Sequence, residues 1–185
     1  MNTNIYLVRH AHSTFTPDER KRPLSQEGFI TAEKVTELLQ AENIDVVLSS
    51  PYIRAIQTVK GIAEYIEQEV ILKKGFKERK LAGKPVEDFD EAITKVWQDY
   101  NFAWAGGESN YRAQQRGVEA INHVLEQYKG RNIAIGTHGN IMTIIMNYFD
   151  KQYNFHFWKT LSMPDIYKLT FDEKALVEVK RVWEV

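Results

Sequence analysis

Two histidines and two arginines have the chemistry that transfer of a phosphoryl group requires. Such a transfer needs a nucleophile and cationic or hydrogen-bonding groups around the phosphate oxygens. His10 can attack phosphorus through a neutral ring nitrogen, and Arg9 and Arg54 carry guanidinium groups that can each bind two phosphate oxygens. His138 can donate a hydrogen bond to the same phosphate. Because a lone histidine or arginine is more often structural, the hypothesis depends on where the four residues stand relative to the strands and helices.

Short apolar runs precede these candidate residues, and each run is typical of a buried strand. The runs are residues 5–8, 46–48 and 133–135, and apolar residues at helical spacing lie between them. Strands that alternate with helices predict an α/β fold, here a three-layer α/β/α sandwich with a largely parallel central sheet. Ligands bind beyond the carboxyl ends of such strands. We therefore expect the two histidines and the two arginines to meet at one edge of the sheet.

Caps and periodicity predict the remaining elements. We expect helices that begin at the capping residues Ser25 and Ser109, and a helix that has Ser50 as N-cap, Pro51 as first residue and an end near Tyr65. Further predictions are strands at 70–72, 166–171 and 177–183, and a helix that follows Gly139. Residues from about 74 to 108 interrupt the alternation and contain a helical segment. We therefore predict a single domain over residues 1–185 with an inserted helical segment at about 74–108.

The composition excludes several classes of function. Of the 185 residues, 24 are basic and 25 acidic, so the formal net charge of -1 favours neither nucleic acid nor an acidic membrane surface. The chain contains no cysteine, which excludes disulfides, thiolate metal sites and cysteine nucleophiles. The first residues show no signal-peptide pattern, and no apolar stretch is long enough to span a bilayer. We expect a cytoplasmic protein without nucleic-acid or membrane partners.

Four segments occur in the order and spacing of a known family. They are Leu7–Ser13 (LVRHAHS), Ser49–Thr58 (SSPYIRAIQT), Gly106–Ser109 (GGES) and Gly136–Gly139 (GTHG). With them the chain resembles the histidine phosphatase superfamily, also called the phosphoglycerate mutase-like family, over nearly its whole length. The resemblance implies a phosphatase that hydrolyses a small phosphomonoester through a covalent phosphohistidine on His10, without a metal or another cofactor. It leaves the identity of the substrate and the oligomeric state open.

The same resemblance implies roles for five further residues. Glu78 matches the family's proton donor for the leaving group. Glu108 is a competing acid or a residue at the lip of the site, and Arg116 stands where it can pair with Glu108. Thr16 occupies a position where many mutase-type members carry an asparagine on the phosphate, and its hydroxyl can still donate one hydrogen bond. Gly139 is expected to bind phosphate through the N–H groups at a helix N-terminus.

Three other functions stay open at the level of the sequence. A mutase-type phosphotransferase would return the phosphoryl group to a bound substrate, although the modest length of the chain favours a more open site and hydrolysis. A module that binds a phosphorylated ligand without turnover would result if Glu78 were misplaced. His10-Ala11-His12 also resembles the His-X-His pair of metal-dependent hydrolases, but no further cluster of His and Asp supplies the other ligands.

Overall fold

A six-stranded sheet with helices on both faces forms the centre of the protein in the computed structural model, which describes residues 1–184. Its strands are β1 (Asn2–Arg9), β2 (Val46–Ser49), β3 (Ile71–Leu72), β4 (Asn132–Thr137), β5 (Asp165–Asp172) and β6 (Ala175–Arg181). The helices are α1 (Gln26–Gln40), α2 (Ile53–Tyr65), α3 (Phe89–Gln98), α4 (Asn110–Gln127), α5 (Gly139–Phe149) and α6 (Phe155–Thr160). Two 3₁₀ turns lie at Glu19–Lys21 and Lys74–Phe76. The strand order is β3-β2-β4-β1-β5-β6.

The direction of the strands confirms the predicted fold class. β3, β2, β4 and β1 pair in parallel, and β5 and β6 are added antiparallel at the side of β1. Each parallel return needs a crossover, which the helices between these strands supply. The sheet is therefore largely parallel, and the two strands at the end of the chain extend it as a hairpin.

Alternation along β1 divides the core into two layers. Ile5 and Leu7 belong to a hydrophobic cluster with residues of α3, α4 and α5. Tyr6 and Val8 belong to a second cluster with residues of α1 and α2. Because successive side chains of a strand point to opposite faces, a continuous apolar run can pack against helices on both sides. This arrangement produces the three layers.

The carboxyl ends of three neighbouring strands meet at one edge of the sheet. Arg9, the last residue of β1, is in register with Thr137 at the end of β4. Ser49, the last residue of β2, is in register with Gly136 of β4. Polar residues that follow these three strands are consequently brought together.

The start of α2 differs from the prediction. The helix begins at Ile53, and its N-cap residue is Tyr52, whose side chain makes no capping hydrogen bond. Ser50 and Pro51 lie outside the helix. The Ser50 hydroxyl accepts from the N–H of Tyr52 at 3.2 Å and also contacts the buried ring of His138, which follows β4. The predicted end at Tyr65 is confirmed. The predicted caps Ser25 and Ser109 are also confirmed, since each side chain accepts a backbone N–H in the first turn of its helix.

Two other stretches refine the prediction. β3 is only two residues long and both are exposed, which is typical of a short edge strand. The six-residue helix α6 was not predicted, because its run of aromatic residues has no clear periodicity.

Between β3 and α4 the chain forms a 3₁₀ turn and α3. That this stretch is an insertion in a single domain stays a prediction. Among residues 1–184, none of the helices has the length and apolarity needed to cross a membrane.

Candidate active site

The edge formed by β1, β2 and β4 brings His10, Arg54 and His138 together. The N–H of His10 donates to Thr137 O at 3.0 Å, and the N–H of Ser50 donates to Gly136 O at 2.8 Å. The rings of His10 and His138 meet edge to face, with centroids 5.3 Å apart. Arg54, in the first turn of α2, places its Nε 3.2 Å from His10 Nε2. Three residues separated widely in the chain therefore share one pocket.

His10 has its two ring nitrogens in different environments. Nδ1 lies 2.7 Å from the carbonyl oxygen of Ala11, which can only accept a hydrogen bond, so the proton is assigned to Nδ1. Nε2 then carries the lone pair and accepts from Arg54 Nε. Burial, followed by the positive charge of Arg54, lowers the pKa of His10 to about 3. The ring is therefore neutral at physiological pH, as a nucleophilic imidazole must be.

Arg54 is 3% exposed and contacts the loop that precedes α1. Its Nη1 donates to Glu19 O at 2.7 Å, and its Nη2 pairs with Glu19 Oε1 at 3.1 Å. The guanidinium also lies 5.1 Å from the centre of the Tyr52 ring. Burial lowers the pKa of Arg54, and the carboxylate of Glu19 opposes this shift. The backbone oxygen and the carboxylate of Glu19 thus occupy the two terminal nitrogens that a phosphate would use.

Arg9 supplies a second guanidinium beside the start of α5. Its Nη1 donates to Leu161 O at 3.3 Å and to Ser162 O at 3.2 Å. Its buried Nε has no hydrogen-bond partner within residues 1–184. A Cβ atom on Gly139 would lie 2.9 Å from this Nε, so a side chain at this position would displace the guanidinium. Because Gly139 has no side chain, the N-terminus of α5 and the guanidinium of Arg9 can both lie next to the same bound anion.

His138 is fully buried immediately before α5. Its Nε2 lies 2.8 Å from Ser50 Oγ, while its Nδ1 has no hydrogen-bond partner in the described part of the chain. Burial, together with the charges of His10 and Arg54, places the pKa of His138 well below its usual range. The ring is neutral, and the Ser50 hydroxyl holds its orientation. Ser50 was predicted as a helix cap at this edge of the sheet, and its contact with His138 was not predicted.

The carboxylate of Glu78 lies at the N-terminus of α5. It accepts from the N–H groups of Arg79 at 2.8 Å, Asn140 at 3.1 Å and Ile141 at 2.9 Å. Asn140 directly follows Gly139, so Glu78 is close to the Arg9 side of the pocket. The three N–H groups therefore hold the Glu78 carboxylate in a fixed position at the start of α5.

Glu108 and Arg116 form a bidentate ion pair. Both carboxylate oxygens of Glu108 lie 2.7 Å from guanidinium nitrogens of Arg116. Arg116 also donates to the backbone oxygens of Gly75, Lys77 and Glu78. This pair therefore supports the segment that carries Glu78. Both carboxylate oxygens of Glu108 bind Arg116. The carboxylate that accepts from the first N–H groups of α5 is that of Glu78.

Thr16 makes its contact within its own loop. The hydroxyl donates to Asp18 O at 2.7 Å. Contact of Thr16 with phosphate, and the phosphate-binding role of Gly139, stay predictions that the geometry does not test.

Sequence reasoning missed Arg22 as part of the pocket. Its charge lowers the pKa of both His10 and Arg54, which places it near the two residues. Its guanidinium lies 4.9 Å from the centre of the Phe15 ring, and its buried Nε has no hydrogen-bond partner among residues 1–184. The signal available in the sequence was the basic run at residues 20–22, which is equally typical of a solvated surface.

The geometry does not supply the ligands that a metal-dependent hydrolase needs. His12 is exposed, and its Nδ1 lies 2.7 Å from Ser25 Oγ, whereas His10 is buried. Residues 1–184 contain no group of three His, Cys, Asp or Glu side chains arranged to hold a metal ion.

Comparisons with known proteins point to one family. A family model described as the histidine phosphatase superfamily (branch 1) matches residues 5–183. Phosphoserine phosphatase 1 of Hydrogenobacter thermophilus is 26% identical over 147 residues, which cover 72% of this chain and 70% of the relative. A metal-independent phosphoserine phosphatase of Arabidopsis thaliana is 28% identical over 159 residues, with coverage of 77% and 67%. A solved mycobacterial glucosyl-3-phosphoglycerate phosphatase has the same fold, with a TM-score of 0.78, 16% identity, and coverage of 98% of this chain and 97% of that one.

Proposed function

Because the chain belongs to the histidine phosphatase superfamily (branch 1), we propose that it hydrolyses phosphomonoesters through a covalent phosphohistidine on His10. The contact that carries the proposal is the one between Arg54 Nε and His10 Nε2, at 3.2 Å. It places a neutral, buried imidazole nitrogen directly beside a cation that can bind the phosphate it attacks.

In the first step, the phosphate dianion takes the place of Glu19 at the terminal nitrogens of Arg54 and also binds Arg9. The lone pair of His10 Nε2 forms a bond to phosphorus while the bond to the ester oxygen breaks. Glu78, protonated in the substrate complex, donates its proton to the departing alcohol. The products of this step are the free alcohol and phosphohistidine.

In the second step, water attacks the phosphorus of phosphohistidine and the phosphorus–nitrogen bond breaks. The Glu78 carboxylate takes a proton from this water, so Glu78 returns to the state in which the next cycle begins. His10 regains its lone pair and inorganic phosphate is released. The same carboxylate therefore acts as acid in one step and as base in the other.

The remaining residues of the pocket stabilise the transferred group. We assign His138 and the N–H of Gly139, the first residue of α5, to the oxygens of the phosphoryl group, where negative charge is concentrated. Ser50 orients His138 through the 2.8 Å contact. Glu108 and Arg116 act on Glu78 by holding its backbone. Thr16 is assigned to a phosphate oxygen only if its loop moves, since its hydroxyl is bonded to Asp18 O.

The names of the relatives support a small phosphorylated substrate and chemistry without a metal. Two relatives are named phosphoserine phosphatases, one of them metal-independent. Phosphoserine is therefore the first ester to assay, together with 3-phosphoglycerate as a second phosphorylated acid. The proposed location is the cytoplasm, which stays a prediction.

Release of inorganic phosphate with EDTA present throughout tests the proposal. The wild-type protein is expected to hydrolyse at least one ester of a phosphomonoester panel, and His10→Ala is expected to lose more than about a thousandfold in kcat, because the nucleophile is removed. Rapid mixing followed by intact-mass measurement should detect phosphorylated wild-type protein and no phosphorylated His10→Ala.

His12→Ala is the matched control, because His12 is exposed and two residues from the nucleophile. It should retain wild-type activity. Loss of activity in His12→Ala together with sensitivity to EDTA would support the metal-dependent alternative and refute the proposal. Transfer of phosphate to an added alcohol without net release would identify a mutase-type phosphotransferase instead.

A further inference from the structure

One nitrogen of the Arg9 guanidinium is anchored to a loop, and the other two face the N-terminus of α5. Nη1 donates to Leu161 O at 3.3 Å and to Ser162 O at 3.2 Å. A Cβ atom on Gly139 would lie 2.9 Å from Nε and 3.2 Å from Nη2, so these two nitrogens are the ones beside α5. The position of the two backbone oxygens therefore determines where the cation lies relative to the proposed phosphate pocket.

The two oxygens belong to a short loop between α6 and β5, residues 161–164. Asp165, the first residue of β5, holds this loop. Its carboxylate accepts from the N–H of Ser162 at 2.8 Å and from the N–H of Ile166 at 3.0 Å, and its side chain is 0% exposed. A buried carboxylate is stable only when such donors surround it. The contact consequently fixes Ser162 against the start of β5.

Arg181, the last residue of β6, completes the arrangement from the neighbouring strand. Its Nε lies 3.0 Å from Asp165 Oδ1, and its Nη2 lies 3.1 Å from Asp165 Oδ2. Nη2 also donates to Ser162 Oγ at 2.8 Å. A bidentate pair between a guanidinium and a carboxylate orders both partners. Arg181 therefore contacts the loop directly and also contacts the carboxylate that holds it.

The pairing of the strands places this cluster next to Arg9. Arg9 is in register with Asp165 across β1 and β5, and Tyr167 is in register with Arg181 across β5 and β6. Burial lowers the pKa of Arg9, and the charges of Glu78 and Asp165 oppose this shift. The hairpin that extends the sheet at its antiparallel side thus carries side chains whose influence reaches the proposed phosphate pocket.

We propose that Asp165 and Arg181 are positioning residues for Arg9, and that they set the affinity of the pocket for phosphate through the loop that carries Ser162. A guanidinium that is held in place before the ligand arrives loses less conformational freedom on binding than a mobile one. Without the pair, Arg9 is still present but its anchor is free to move, so phosphate binds less tightly. This inference rests on the proposed function, in which Arg9 binds the phosphate.

A double-mutant cycle that uses inorganic phosphate as the probe tests the positioning role. Calorimetry at constant ionic strength gives the Kd of the wild type, Arg181→Met, Arg9→Met and the double variant. Arg181→Met is expected to raise the Kd about fivefold to tenfold, which is the effect of ordering one long side chain on binding. In the Arg9→Met background the same substitution should change the Kd less than about twofold, because the residue through which it acts is gone.

The alternative is a structural role with no connection to Arg9, and it predicts the same factor in both backgrounds. That additive result would overturn the proposal. Arg54 remains in every variant of the cycle, so weak binding of phosphate stays measurable. Arg181→Lys keeps a cation without the fork of a guanidinium and should recover part of the affinity that Arg181→Met loses.

Lys180→Met is the matched control, because Lys180 is the adjacent basic residue of β6 and is exposed. It should keep the wild-type Kd. Ser162→Ala removes the hydroxyl that Arg181 binds and keeps the backbone oxygen that Arg9 binds, so it should raise the Kd by a smaller factor. It remains informative if Arg181→Met does not fold. A wild-type Kd in Ser162→Ala and in any folded Arg181→Met would overturn the proposal.

Failure of the positioning role is distinguishable from failure of the proposed function, because binding of phosphate needs no turnover. Coupling between Arg181 and Arg9 in a protein that hydrolyses no ester would support the positioning role and refute the phosphatase function. Additive effects in a protein that hydrolyses esters would overturn the positioning role alone. A wild type that binds no phosphate would overturn both.

Discussion

Arg54 links His10, the proposed nucleophile, to the loop that carries Glu19. Its Nε donates to His10 Nε2, and its two terminal nitrogens hold the backbone and the carboxylate of Glu19. In the proposed reaction the ring nitrogen must be free to attack phosphorus, so the Nε–H of Arg54 must turn to a phosphate oxygen. Binding of the phosphate and release of the nucleophile are then one event at a single side chain.

The neutral state of His10 predicts a loss of stability in mild acid. Its folded-state pKa of about 3 is below the unperturbed value of 6.5, so below pH 6.5 the unfolded chain binds a proton that the folded protein does not. The free energy of unfolding should therefore fall as the pH falls from about 6.5 toward 3. Between pH 7 and pH 5 the contribution of His10 is about 2 kcal/mol. Urea unfolding at a series of pH values measures it.

Substitution separates His10 from the other groups that titrate in this range. His10→Gln keeps a side chain that can form hydrogen bonds but does not titrate, so its unfolding free energy should depend less steeply on pH than that of the wild type. His12→Gln, at the exposed position, should keep the wild-type dependence. Equal slopes for His10→Gln and the wild type would contradict the assignment.

At the scale of elements, α4 positions the segment between β3 and α3 that carries Glu78. Arg116 donates from the helix to the backbone oxygens of Gly75, Lys77 and Glu78, and its geometry is held by Glu108. A bidentate pair of this kind orders both partners more strongly than a single contact. The helix thereby determines where the proposed acid lies relative to α5.

Loss of this support should reduce the rate of the reaction more than the binding of substrate. Arg116→Met removes the guanidinium contacts while leaving Arg9 and Arg54 in place. We expect kcat to fall about tenfold to a hundredfold with KM changed less than threefold, because Glu78 is misplaced while the phosphate pocket is kept. Steady-state kinetics on the best ester of the panel measures both constants.

Arg112→Met is the control at the same helix, one turn earlier and exposed. It should leave both constants at their wild-type values. A rise in KM with unchanged kcat in Arg116→Met would contradict a positioning role and indicate that Arg116 binds substrate directly.

At the scale of the whole molecule, the site joins the ends of three strands to the start of α5. Arg9 and His10 follow β1, Arg54 follows β2, and His138 follows β4. An anion that contacts all of them is bound by the folded chain and not by the unfolded one. Binding must therefore stabilise the folded state as a whole.

Inorganic phosphate should raise the melting temperature of the protein. At a concentration 100 times its Kd, the stabilisation is about 2.7 kcal/mol, which corresponds to roughly 5–10 °C for a domain of this size. Differential scanning fluorimetry with and without phosphate, at constant ionic strength, measures the shift. Arg54→Met should abolish most of it, and His12→Ala should retain it. The same shift in Arg54→Met as in the wild type would contradict the assigned pocket.

The sequence by itself determined the local features of this protein. Apolar runs that end at polar residues indicated the strands and the edge where chemistry would lie. Ser25 and Ser109 indicated the starts of two helices, because capping depends on residues only three positions apart. The family motifs identified the phosphatase family for the same reason, since each motif is contiguous along the chain.

Only the tertiary structure decided which distant residues meet. Ser50 was predicted to cap a helix, but it contacts His138, which is 88 positions away. Arg22 was indistinguishable from a surface cation in the sequence, and the burial of its Nε in the folded chain is what separates it from one. Such contacts depend on the order of strands in the sheet and on how loops pack over its edge. The local pattern of apolar and polar residues does not specify either of these, because one pattern is compatible with several strand orders.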